Sequence, residues 1–90
     1  MGRQRRPQPR LLAKKLKEVR LAYGWTQQQM AAGLGKVPSA PDSAMISRYE
    51  RGEREPSLFV LLAYGQVSGL VVDVFIDDRI TLENFRKMLK

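Results

Sequence analysis

The sequence predicts an all-α domain of five short helices, with a basic arm at its N-terminus. Three observations carry that expectation. Leu12, Leu16, Val19 and Tyr23 recur at the spacing of an amphipathic helix. Thr26 and Gln29, followed by an apolar face, form a helix-start signal. Glycine and proline punctuate the chain between the helical stretches, at Gly24, Gly35, Pro41, Gly52, Pro56 and Gly69.

Taken in order, residues 1–10, "MGRQRRPQPR", hold two prolines and no apolar residue after Met1, and read as a disordered basic arm. The first helix begins at Leu11 and ends at Gly24, with Leu12, Leu16, Val19 and Tyr23 as its core stripe. In the second, Thr26 caps and Gln29 reaches back to complete a capping box. Trp25 and Met30 are placed to staple across that start, and Met30, Ala31 and Leu34 form the buried face. Residues 36–41, "KVPSAP", are a loop. A third helix starts at Asp42, or a turn earlier at Ser39, and runs to Gly52 with Met45, Ile46 and Tyr49 inward. Pro56 and Ser57 open the fourth, "LFVLLAYGQVS", which stops at Gly69. The segment "LVVDVFIDD" fits either a strand or a short helix. Residues 77–90 form a short C-terminal extension, helical from Thr81, with Leu82, Phe85 and Leu89 inward.

Charge is unevenly placed. The chain carries a net charge of +7. Residues 1–20 hold eight basic groups (Arg3, Arg5, Arg6, Arg10, Lys14, Lys15, Lys17, Arg20) against Glu18 alone, while the rest of the chain is neutral. A basic block of this kind points to a polyanionic partner. Without cysteine there are no disulfides, thiol nucleophiles or zinc fingers. Without histidine the commonest general base is missing, and no paired carboxylates share a helical face, since Asp77–Asp78 reads as a turn. An enzyme is not expected, and neither is a cofactor, a metal or a small-molecule ligand. No apolar run is long enough to span a membrane, and single-stranded RNA readers' stacking aromatics are missing.

Residues 11–76 contain the ordered set "GWTQQQMAAGLG…MISRYERGEREPS". This resembles the phage-repressor and Cro-type helix-turn-helix family, the XRE-like bacterial transcriptional regulators. The resemblance implies a compact five-helix Cro/repressor-like fold. It further implies sequence-specific binding of double-stranded DNA by a cytoplasmic, nucleoid-associated homodimer, with the helix around 42–51 in the major groove. On it, Ser43, Ala44, Ser47 and Arg48 face the bases. Gln27, Gln28, Lys36, Arg51 and Arg54 fall where the family touches phosphates, and Arg3, Arg5 and Arg6 of the arm are expected to do the same. The triple glutamine thus divides into phosphate contacts and a structural cap, Gln29. Glu50 pairs with Arg20 as a structural ion pair. Two departures from the pattern stand out. Ten residues separate Leu34–Gly35 from Ile46–Ser47, where relatives have about five, so either the turn is longer or the third helix gains a turn. Phe59 and Val60 are apolar where relatives are polar, which makes Phe59, Val60 and Tyr64 a candidate interface. That face also favours the alternative reading, a protein-binding module such as an antitoxin or adaptor.

Overall fold

A computed structural model describes residues 9–38 and 40–83. Five helices follow one another: α1 (Leu12–Ala22), α2 (Gln27–Gly33), α3 (Ser43–Glu50), α4 (Leu58–Ser68) and α5 (Val72–Ile76). The segment that sequence left open between strand and helix is therefore helical. The helix expected from Thr81 onward lies mostly outside the described residues; Leu82, at its start, is buried.

Each helix start is built from local chemistry. Thr26 accepts from the Gln29 backbone N–H at 3.1 Å while the Gln29 side chain accepts from the Thr26 N–H at 2.8 Å, a complete capping box. Asp42 caps α3 through the Met45 N–H, and Ser57 caps α4 through the Val60 N–H. The turn between α1 and α2 needs the left-handed backbone of Gly24 (φ 69°), which lets the Trp25 N–H return to the Arg20 carbonyl. Trp25 then packs on the core, stacks on Tyr23 with ring centroids 4.9 Å apart, and lies against Gly33, where a Cβ would stand 3.1 Å from its ring.

The extra residues before α3 lie wholly in the loop. The helix begins only at Ser43, so it gains no turn at its N-terminus. Val37 packs on the core and Pro41 is buried, which anchors the loop at two points. Its Ala40–Asp42 edge forms one wall of an open cleft of about 490 Å³, with Met45, Tyr49 and Arg54 opposite.

The core gathers Leu12, Leu16 and Val19 of α1, Met30 and Leu34, Ile46 and Tyr49 of α3, Val60, Leu61 and Tyr64 of α4, and Val74 and Phe75 of α5. Tyr64 meets Phe75 edge-on, centroids 6.2 Å apart. Tyr23, expected in the α1 stripe, is not in this core. It follows the last helical residue, where the chain already turns; the residue is 45% exposed and its hydroxyl donates to the Val67 carbonyl at 2.8 Å.

The stripe holds Lys15 instead, 1% exposed. Its ammonium donates to the carbonyls of Val74 (2.6 Å) and Asp77 (2.9 Å), satisfying the end of α5, where helix carbonyls have no intrahelical partner. The favour is returned across the same junction. The Asp78 carboxylate accepts from the N–H groups of Arg10 (2.8 Å) and Leu11 (3.0 Å), where α1 has no side-chain cap of its own. These two N–H bonds, with Lys15 and Arg10 nearby, hold the Asp78 carboxyl below its ordinary value.

Candidate nucleic-acid interface

One face of α3 turns away from the core. Ile46 and Tyr49 are buried and Met45 is half-buried, which leaves Ala44, Ser47, Arg48 and Arg51 on the opposite side at i, i+3, i+4 and i+7. Ala44, Arg48 and Arg51 are exposed, and Ser43 and Ser47 half-buried. The exposed Arg48 side chain makes no hydrogen bond among the described residues. Arg51 is tethered: it donates to both Glu53 carboxylate oxygens at 2.9 and 3.0 Å and to the Ser47 hydroxyl at 2.8 Å. That pair is more than half exposed, so the tether is one that another anion can displace.

The start of α2 lies beside α3 through one network. Arg20 donates from two nitrogens to the two Glu50 carboxylate oxygens, at 2.7 and 3.0 Å, and from a third to the Trp25 carbonyl at 2.8 Å. The side chains are 11% and 4% exposed, so this is a nearly dry, bidentate pair. The Glu50 hydrogen bonds raise the Arg20 pKa further and keep the guanidinium charged. Gln27 then joins: its amide nitrogen donates to the same Glu50 oxygen at 3.2 Å. Half-buried Gln27 is thus held by its own protein, with one amide hydrogen engaged, whereas Gln28 is exposed beside it. Lys36 and Arg54 are exposed. Arg3, Arg5 and Arg6 lie outside the described residues.

The expected interface needs correction. Val60 and Tyr64 are 1% and 0% exposed and belong to the core. Helix spacing explains the swap: α4 is apolar on every side, and Val60, Ala63 and Tyr64 are the side that meets the other helices. The solvent side carries Leu58, Phe59 and Leu62, exposed at 75%, 60% and 47%. The Tyr64 hydroxyl has no hydrogen-bond partner among the described residues, and burial, followed by the Glu50 carboxylate, pushes its pKa up.

Two relationships escaped the sequence. Lys15 is three residues after Leu12 and four before Val19, squarely on the apolar stripe, and that position was the available signal. Nothing in the sequence marks the Gln27–Glu50 contact, which joins residues 23 apart.

A capped short helix laid against a second one that shows a polar, cationic face to solvent defines a helix-turn-helix DNA-binding domain. Residues 16–67 match the helix-turn-helix family, and the chain belongs to it. In fold it is similar to the P22 c2 repressor, solved in complex with a synthetic operator: TM-score 0.66, 22% identity, covering 77% of this chain and 97% of that one. No curated protein matches the chain. No helix among the described residues is long and apolar enough to cross a membrane.

Proposed function

We propose that this protein is a sequence-specific regulator of transcription, a repressor in type, that binds double-stranded DNA as a homodimer with α3 in the major groove. The observation that carries this reading is the solvent-facing side of α3, where the Arg48 side chain has no hydrogen bond among the described residues, on a helix whose other side is locked in the core. Arg48 reads guanine through its two-pronged fork, Ala44 meets a thymine methyl, and Ser43 and Ser47 serve as adaptable donors or acceptors. Gln27, Gln28, Lys36, Arg51 and Arg54 hold the backbone and fix register. Gln27 does so with the amide hydrogen that Glu50 leaves free, helped by the N–H groups and dipole at the start of α2. Arg3, Arg5 and Arg6 add affinity without sequence preference. The regulator acts in the cytoplasm, on the nucleoid.

Dimerisation uses the Leu58, Phe59 and Leu62 face, since a two-fold partner reads a two-fold operator. The same face supports the second reading, in which the domain holds a different protein. Selection of bound duplexes from random oligonucleotides at stated salt separates these. An inverted repeat is the expected result. A single half-site argues against the dimer, and failure to enrich any sequence overturns DNA recognition altogether.

A further inference from the structure

Arg10 lies outside the helix-turn-helix, at the foot of the basic arm, yet the fold sets it beside the connection from α3 to α4. Arg10 and Ala13 on one side, and Tyr49, Gly52 and Arg54 on the other, line a single open cavity of about 230 Å³. Both arginine side chains are exposed, and neither makes a side-chain hydrogen bond among the described residues. Two such arginines lining one concavity, with an aromatic wall and no carboxylate in the lining, suit an oxyanion. The Arg10 backbone is also anchored. Its N–H and that of Leu11 are both gripped by Asp78, 68 and 67 residues further along the chain.

From this arrangement we infer that Arg10 is a further DNA-phosphate contact, acting beside Arg54 at the edge of the interface, and that Asp78 is its positioning residue. The inference rests on the DNA-binding reading above and extends it to a part of the chain that the family match, which begins at residue 16, does not include. It assigns a positioning role to an acidic residue. Asp78 touches no DNA, and its charge alone repels it. Its effect comes through the two backbone N–H groups, which set where Arg10 stands and where the arm leaves the domain.

The test uses the full chain and a random-sequence duplex of roughly 20 base pairs, with affinity followed against salt. Loss of one phosphate contact lowers the slope of log K against log salt by about 0.9. Arg10→Gln is expected to show that loss. Lys17→Gln removes the same charge from an exposed site on α1 away from the cavity and is expected to leave the slope unchanged. Equal slopes for the two variants would overturn the Arg10 contact. Asp78→Ala gives an opposed sign: removing a negative charge by itself strengthens DNA binding, whereas losing the anchor weakens it and lowers the slope. Tighter binding by Asp78→Ala overturns the positioning role. Should that variant fail to fold by circular dichroism, Asp78→Asn, which keeps one acceptor oxygen, decides the same question. A wild-type chain with no salt-dependent affinity for duplex DNA would instead sink the functional reading itself.

Discussion

Helices α1 and α3 are both amphipathic and both carry basic residues, but they use them in opposite ways. In α1, Lys15 and Arg20 turn inward: one closes the end of α5, the other clamps Glu50 on α3. In α3, Arg48 turns outward, its side chain exposed and without a hydrogen bond among the described residues. The difference is one of angle on the helix. Lys15 falls on the same side as Leu12, Leu16 and Val19, so its ammonium is drawn into the core and needs acceptors there. Arg48 falls two residues from buried Ile46, which directs it to the opposite side. A count of basic residues therefore overstates how much of the N-terminal charge is available to a polyanion. Two of the eight basic groups in residues 1–20 hold the fold together instead.

The sharpest way to break this contrast is at the inward-facing cations. Glu50→Ala strands the Arg20 guanidinium in a nearly dry site and releases Gln27. Removing one partner of such a pair costs about 3–5 kcal/mol. Chemical denaturation is expected to show a loss of that size, and a change under about 1 kcal/mol would mean the pair behaves like a surface one. Lys15→Met keeps the packing but removes the ammonium donor from the Val74 and Asp77 carbonyls, of which Asp77 keeps only the Ile80 N–H among the described residues. A hydrogen bond to a charged group is worth about 1.5–3 kcal/mol, and the loss is expected in that range. Duplex affinity of the folded variant should stay close to wild type, because this ammonium is out of reach of solvent.

The outward-facing cations are expected to give the reverse pattern. Arg48→Ala leaves the melting temperature unchanged and removes about 1–3 kcal/mol of discrimination at one base pair per half-site. Arg54→Ala weakens selected and random duplexes alike. Equal losses on both duplexes for Arg48→Ala would make it a backbone contact and shift specificity to Ala44, Ser43, the inserted loop or DNA shape.

The smallest effect lies at the junction of α1 with α5. Arg79 donates to Asp77 from side chain and backbone, which lowers the Asp77 carboxyl from 3.8 to about 2, and the Arg10 and Leu11 N–H groups lower that of Asp78. Carboxyls depressed in the folded state contribute stability that is complete above the unfolded value and lost as pH falls toward the folded one. Melting temperature is thus expected to drop between roughly pH 4 and pH 2. Asp78→Asn is expected to flatten that slope, and an unaltered slope would assign the acid sensitivity elsewhere.

Local chemistry made much of this protein legible. Caps at Thr26 and Ser57, and the Gly24 turn, are written in adjacent residues, so those helix ends could be placed before their packing was known, while Asp42 was one of two starts open for α3. The Arg20–Glu50 partnership was suggested by family resemblance, not by any feature of spacing. What stayed hidden depended on partners far along the chain. Tyr23 satisfied the helical period, yet its backbone had already left the helix, and Val67 claimed its hydroxyl. Val60 and Tyr64 could not be told from Leu58, Phe59 and Leu62, because a helix apolar on all sides carries no mark of which side is buried. The ten residues before Ile46 permitted either a longer loop or a longer helix, and the choice fell to Val37 and Pro41, which dock the loop on the core.

By itself, then, the sequence determined the all-α class, the starts of α2 and α4 at Thr26 and Ser57, the stops at Gly24, Gly52 and Gly69, the outward direction of Arg48 and the basic bias of the N-terminal end. Period, capping and charge act over a few residues and need no knowledge of the rest. Tertiary structure alone decided that Lys15 is a core residue, that Asp78 anchors the root of the arm and that Glu50 holds Gln27 as well as Arg20. Each of those bonds joins residues between 23 and 68 positions apart, and only the packing of α1 against α5, and of α2 against α3, brings donor and acceptor within reach.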